Sequence, residues 1–502
     1  LDPDQTEKSF HSRWQRFRRQ ALNKYAPIEE RSYRDEFKQR EADTSAYAAL
    51  MMADRGIQFM ASAFKYGVPT YKNGVTQVVD FYAYGHRRNK RRDRGLLGLF
   101  APLYDNSYGK NLEGLAKAYS IARRVIDIRK SDPEAKTPIP VGEEQKTLDM
   151  LTKQIQEYID PVTGKPIIEE WYDGYQQYND HVIEFMRDTG VIDEESARRW
   201  KNMASYVPFY KEAQGEKIPA HIPSVFKGLT GTTDFKQVGK RESEIDLPLI
   251  EAITRNVAAA IDMGMKNVAQ QRIIRDEVEL GMARELAPGE AVGNEATVTF
   301  KVDGKKKTYI VYDNLVHEAM LSMGDSSLSA WVNTIFGGPS RLLREMVTRE
   351  PAFIVANMIR DTMSAWVTTG GSFVPVIDTL KNFFREVETL EKLGIAGGYD
   401  FGRDPKNITQ YFAKQARKRG FDTGQLGLGG KITESAAMKP FKLLWDVTGS
   451  LTTRSDASTR RAVFDDVLAR TGNLAEAQFQ SLEVINFGRR GNHPVTKFLG
   501  VA

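Results

Sequence analysis

At 502 residues, with 41% apolar and 27% charged side chains, the chain has the composition of a folded protein long enough for two or more domains, which excludes disorder along its whole length. It has no cysteine, so disulfide frameworks, thiolate metal sites and cysteine nucleophiles are excluded, a composition that suits passage from a reducing to an oxidising compartment. Lys and Arg total 71 against 66 Asp and Glu, a net charge of only +5, so affinity for a polyanion depends on where the cations cluster.

No basic n-region leading into an apolar stretch occurs near Leu1, so no signal peptide is read, and a chain starting at Leu reads as an internal or processed piece of a longer polypeptide. No run of about 18 uninterrupted apolar residues is present. The closest approach, Pro351 to Thr369, is split by Arg360 and Asp361.

Thr6 to Tyr66 reads as helices, with Arg13, Arg16, Arg18 and Arg19 around Trp14 and Phe17. Gly67, Pro69, Asn73 and Gly74 mark a turn region, and Val75 to Tyr84 is open to either a strand or a short helix. A dense basic run follows: Arg87, Arg88, Lys90, Arg91, Arg92 and Arg94, opposed only by Asp93. Asn111 to Ile128 has helical spacing. Ser131 to Gly142, with three prolines, is a candidate boundary. Helices are expected at Glu143 to Tyr158, Ile167 to Thr189 and Asp193 to Ala204, the last capped by Asp193. Ser205 to Leu247 is Pro- and Gly-broken and reads as an extended arm. Pro248 opens a long helix to about Ala287. Thr297 to Val302 and Thr308 to Tyr312 alternate around Asp303-Gly304 and form the one clear hairpin, after which Asp313 caps a return to helix. Ser340 to Gly491 is helical with Gly-rich interruptions.

The expected fold is therefore mainly α: multi-helix elongated or bundled domains with one small β-hairpin. The organisation divides into 1–130, a helical region with a basic patch; 143–204, helical; 205–247, the arm; 248–339, the long helix plus hairpin; and 340–502, a C-terminal helical domain.

Catalytic and metal patterns each lack a required residue. Gly430-Lys431 has Gln425 where a phosphate loop needs glycine and Ile432 where it needs Ser or Thr. His317-Glu318 has Leu321 where a zinc-protease helix needs its second histidine. The six histidines are scattered singly. Acidic neighbours such as Glu169-Glu170 and Asp465-Asp466 point about 100° apart on a helix and do not face each other. No catalytic residue, cofactor or metal is expected.

The basic clusters are the stronger signal. Arg87 to Arg94 is flanked by Tyr82, Tyr84 and Phe100; Lys414, Arg417, Lys418 and Arg419 form a second cluster; Arg454, Arg460 and Arg461 form a third. Cations set against phosphates release counterions and bind duplexes without reading sequence, whereas the plainer reading is solvated helix faces. Glu350 to Thr369 combines a wide apolar surface with Asn357, Arg360 and Asp361, and reads as a helix buried between others, with Asp378 a possible partner for the arginine.

The run REPAFIVANMIRDT at Arg349 to Thr362, INFGRRGN at Ile485 to Asn492 and SYVPFYK at Ser205 to Lys211 resemble the large polyvalent protein-associated helical domains of phages. Such domains occur in very long phage proteins and in the internal virion, or ejection, proteins of short-tailed phages. The resemblance covers about 205–502. It implies a protein packaged in the capsid interior near the portal, with other internal virion proteins and portal or tail components as partners. Such a protein leaves with the genome for the host periplasm and cell envelope, and the host inner membrane is a further expected partner. Asn357, Arg360, Asp361, Asn486, Arg489 and Arg490 match the motifs and are carried over as structural or assembly positions. No residue matches the peptidoglycan-cleaving or polymerase activities that some relatives carry. Enclosing double-stranded DNA requires a homo-oligomer. The competing expectations are an enzymatic module of a polyvalent phage protein acting on nucleic acid or peptidoglycan, and a membrane-active segment at Pro351 to Thr369.

Overall fold

The computed structural model describes residues 28, 45–72, 75–78, 95–105, 112–202 apart from 136 and 162, 207, 249–290, 295–321, 359, 362, 377–383, 388–395, 412, 416–417, 454 and 457–484. Within these residues the protein is mainly α-helical, with two small antiparallel sheets.

The helices are α1 (Ala46–Asp54), α2 (Gly56–Lys65), α3 (Leu96–Phe100), α4 (Glu113–Ser131), α5 (Glu144–Ile155), α6 (Ile167–Asp188), α7 (Glu194–Asn202), α8 (Leu249–Glu279), α9 (Asn314–Leu321), α10 (Ile377–Phe383), α11 (Glu388–Lys392) and α12 (Leu474–Glu483). A 3-10 turn covers Ala101–Tyr104, and residues 457–471 are helical. The strands are β1 (Pro69–Lys72), β2 (Val75–Val78), β3 (Ala283–Glu285), β4 (Thr297–Val302) and β5 (Lys305–Val311).

The α8 helix is the axis. Its 31 residues span about 46 Å at the usual rise. Leu249, Ile253, Val257, Ala260, Met265, Ala269 and Ile273 are buried, and so are Thr254, Asn256, Asn267 and Gln270 between them. Buried polar groups on a helix generally find partners; Thr254 donates its hydroxyl to the Ile250 carbonyl at 2.7 Å, whereas Gln270 Oε1 is buried with no hydrogen bond among the described residues. α8 packs along α1, α2 and α6 and against β3 and β4. Its N-terminus is capped from another helix. The Glu113 carboxylate on α4 accepts from the N–H of Leu249 and, at 3.4 Å, of Ile250, satisfying donors that the helix itself leaves open.

The α6 helix presents a row of aromatic rings to the core. Trp171 stacks with Tyr175 at 5.8 Å and meets the edge of Phe100 at 5.6 Å. Tyr172 packs against Tyr119, with the Arg123 guanidinium 4.7 Å from its ring centre. Where α6 crosses α8, Gly264 lets the helices meet, because a Cβ there would lie 2.5 Å from the Phe185 ring.

Several local expectations hold. Asp193 caps α7 by accepting from Ser196 N at 2.6 Å, and Asp313 caps α9 by accepting from Leu315 N at 2.8 Å. The Asp303-Gly304 turn has φ of 49° and 76°, the primed geometry that hairpins favour.

Other expectations need correction. The second strand of the hairpin starts at Lys305 rather than Thr308. A second hairpin exists, β1 with β2, in which Lys72 pairs with Val75 around the Asn73-Gly74 dipeptide. The long helix ends at Glu279 instead of near Ala287; Gly281 turns the chain at φ +70°, and β3 then adds to β5 to give the order β3-β5-β4. Within the stretch read as helices, Ala46 to Phe64 is, as expected, helical, in two helices that meet at Arg55, whose guanidinium donates to the Leu482 carbonyl at 3.1 Å.

The Pro-rich stretch after α4 is held close: Arg129 donates to Glu144, to Thr137 at 2.7 Å and to the Ile139 carbonyl at 2.7 Å. The arm at 205–247 lies outside the described residues except Val207, which is buried.

Candidate nucleic-acid interface

The first basic run, Arg87, Arg88, Lys90, Arg91, Arg92 and Arg94, lies outside the described residues, as do 79–86 before it. The chain is described up to β2, whose hairpin packs on α2. It returns at Gly95, where the Gly95 N–H donates to the Lys65 carbonyl at the end of α2, at 2.9 Å. A Cβ at Gly95 would sit 2.6 Å from the Ala63 oxygen, the Lys65 carbonyl carbon and the Tyr66 nitrogen, so only glycine permits this approach. Leu96, Leu97, Leu99 and Phe100 are then driven into the core and hold the return point in place. The β1–β2 hairpin and Gly95, the described parts of the chain nearest this run on either side, thus both rest on α2.

The second cluster reaches the same helix from the far end of the chain. Phe412 is fully buried, edge-on to Phe64 of α2 at 6.4 Å and 4.8 Å from Tyr104. Ala416 is buried beside it and Arg417 is exposed; Lys414, Lys418 and Arg419 lie outside the described residues. The C-terminal half of α2 therefore meets Gly95 and Phe412, two described residues more than 300 positions apart, each near a basic cluster in sequence. Two lysines not singled out from the sequence stand there as well. Lys65 pairs with Glu391 at 3.5 Å, and Lys392 places its ammonium 5.9 Å from the centre of the Tyr66 ring. Glu391 also accepts from the Tyr66 hydroxyl at 2.8 Å. The last turn of a helix carries partial negative charge, which favours cations gathering there.

The third cluster does not form a basic face. Arg454 is exposed, but Arg460 is 1% exposed and donates to the Ile395 carbonyl at 2.9 Å. Arg461 is paired with Asp465 at 3.0 Å. The spacing contained the signal: Arg460 shares a helical face with Val463, Phe464 and Val467, all buried.

Of the motif residues, Asn357, Arg360, Asp361, Asn486, Arg489 and Arg490 lie outside the described residues. Beside them, Thr362 is buried with its hydroxyl 3.1 Å from that of Thr379, Ile359 is exposed, and Asp378 accepts from Lys381 at 2.8 Å.

The histidines that are described have local partners: His317 Nε2 lies 3.2 Å from the Thr297 carbonyl and His181 Nδ1 lies 2.8 Å from the Gln177 carbonyl. Among the described residues, no group of three or more His, Cys, Asp or Glu is placed to hold a metal ion, and no helix is long and apolar enough to cross a membrane.

No known family, curated protein or solved structure matches this chain.

Among the described residues, the end of α2 brings together the ammonium groups of Lys65, paired with Glu391, and Lys392. Such groups bind phosphate oxygens through charge-assisted hydrogen bonds and release counterions in doing so.

Proposed function

We propose that the chain is a structural segment of a phage virion: an internal core or ejection protein that assembles with itself into a conduit for delivering the viral genome across the host envelope. The resemblance at Arg349 to Thr362 and Ile485 to Asn492 supports the virion assignment. The observation that supports the DNA association is that Gly95 and Phe412, which lie near two distant basic clusters in sequence, both meet the C-terminal half of α2. A helical fold without disulfides is compatible with transit through a narrow tail and reassembly outside the cell.

On this reading the protein is not an enzyme. It begins in the capsid core beside other internal virion proteins and portal or tail components. It ends in the host periplasm and envelope, in contact with double-stranded DNA without sequence preference and with the inner membrane.

The test combines light scattering with duplex binding across a salt series. A homo-oligomer that binds unrelated duplexes equally, with affinity falling steeply as salt rises, is the expected result. A strict monomer with no retention of DNA at low salt overturns the reading. Turnover on peptidoglycan or DNA, lost on changing one carboxylate, would favour the enzymatic alternative instead.

A further inference from the structure

A third group of cations, remote in sequence from both clusters, sits at the tip of the β4–β5 hairpin. Lys305 and Lys306 follow the turn directly and both are exposed. Lys306 is directly opposite Lys301 in the strand register. Like charges facing across a hairpin disfavour the pairing, so this arrangement needs support from elsewhere in the fold.

The support is explicit. Asn267 of α8 donates to the Lys301 carbonyl at 2.9 Å and accepts from the Lys301 N–H at 2.9 Å, and Gln271 donates to the same carbonyl at 2.9 Å. Gly304 donates to the Gly190 carbonyl at 3.1 Å. A Cβ at Gly304 would meet the Asp193 nitrogen at 2.7 Å, so the turn is seated against the start of α7. The backbone carrying the lysines is fixed, and binding there costs little ordering of the chain.

The neighbouring carboxylates are largely committed. Asp193 caps α7 and is held below the usual carboxylate range, first by its hydrogen bonds from Ser196 and further by Arg199 and Lys305. Glu285 is taken by Lys307 at 3.1 Å, and Glu290 is pulled down to about 2 by Arg284. Among the described residues, Asp303 at the turn and Glu194 and Glu195 at the start of α7 are exposed acids, Glu194 being paired with Arg187. On the face that Lys301 and Lys306 share, opposite to that of Lys305, the Thr299 and Thr308 hydroxyls lie 3.0 Å apart, leaving one hydroxyl free to donate to a phosphate oxygen.

We propose that the tip of the β4–β5 hairpin, through Lys305 and Lys306 with Lys301 and the Thr299–Thr308 pair beside them, is a second contact site for the phosphate backbone of duplex DNA. The inference rests on the DNA-associated reading of the protein but uses residues outside the clusters at α2.

The test uses the full chain and a labelled duplex of about 25 base pairs, with affinity measured between about 50 and 200 mM salt. The double variant K305Q/K306Q is expected to lower the slope of log K against log salt by about one to two, and K305R/K306R to keep it. Binding by the parent chain with an unchanged slope in K305Q/K306Q overturns the hairpin site and leaves the DNA-associated reading standing. Absence of binding by the parent chain at the lowest salt overturns both. Acetylation of the unaltered chain provides a reading independent of any variant's folding. Protection of Lys305 and Lys306 by duplex supports the site, and equal labelling with and without duplex overturns it.

Discussion

Tyr178 is fully buried in α6, and its hydroxyl donates to the Ala63 carbonyl at 3.2 Å. Burial pushes its phenol well above the ordinary value of 10.0. Tyr104 is raised in the same sense, by burial first and then by the Glu113 carboxylate. A raised folded-state pKa means that the native protein keeps a proton which the unfolded chain releases above about pH 10. The associated stability is present in full below that pH and is lost as pH rises beyond it. At pH 11 each such phenol removes about 1.4 kcal/mol. Tyr178→Phe loses one hydrogen bond, about 1 kcal/mol at neutral pH, but removes the titration. Its denaturant midpoint should therefore fall less than the parent's between pH 9 and pH 11. Parallel curves for the two proteins would show that Tyr178 does not titrate differently on unfolding.

At the scale of elements, Asn267 protects a sheet edge. β4 is an outer strand of its sheet, and unpaired edges invite pairing with other chains. The Asn267 amide occupies the outward N–H and C=O of Lys301 as a neighbouring strand would, and also donates to the Thr189 carbonyl at 2.8 Å, tying the edge to the end of α6. Asn267→Ala leaves buried backbone groups unpaired at about 1–3 kcal/mol each, although Gln271 still reaches both the Thr189 and Lys301 carbonyls. A net loss of about 3 kcal/mol is expected in chemical denaturation, together with faster hydrogen exchange at the Lys301 amide. Parent-like exchange there would show that the edge is held by something else.

Elements of this kind differ in how far they can be read from sequence. The β4–β5 hairpin is legible because Asp303-Gly304 demands a primed turn and the strands around it alternate. β3 is not, because Ala283, Arg284 and Glu285 are sound helix formers that continue the pattern of α8. Only the positive φ at Gly281 separates them, and glycine there reads equally as a tolerated interruption. Arg460 misleads for a related reason: beside Arg461 it looks like surface charge, and its burial depends on a carbonyl at Ile395, 65 positions away. The Asn73-Gly74 pair does signal the β1–β2 hairpin, but the strands beside it are four residues each and too short for a period to declare itself. The basic clusters are legible as charges; that Gly95 and Phe412, near them in sequence, both meet α2 is not, because neither residue carries a charge.

For the whole molecule, the decisive contacts join opposite ends of the chain. The α1–α2 unit packs against segments more than 300 positions away. Tyr47 meets Phe479 edge-on at 6.2 Å. A Cβ at Gly394, where φ is +70°, would stand 2.7 Å from the Phe59 ring. The Tyr66 hydroxyl, just after α2, donates to the Glu391 carboxylate at 2.8 Å. Contacts this distant are slow to form, which bears on any protein proposed to refold after passing through a tail: the late step would be the return of residues beyond 388 to α1 and α2. The boundary expected at 340 can be tested on the same ground. A chain of residues 1–339 would expose Tyr47, Phe59 and Phe64, each of which contributes about 1.5–3 kcal/mol through burial. Their combined loss, on the order of 5 kcal/mol, rivals the whole stability of a typical domain. The 1–339 chain should therefore bind an apolar dye strongly, associate with itself and lack a sharp thermal transition, and co-expression with residues 340–502 should restore both solubility and cooperativity. A soluble 1–339 chain that melts as sharply as the full protein would show that the two parts fold independently and that the contacts between the chain's ends add little to the stability of either.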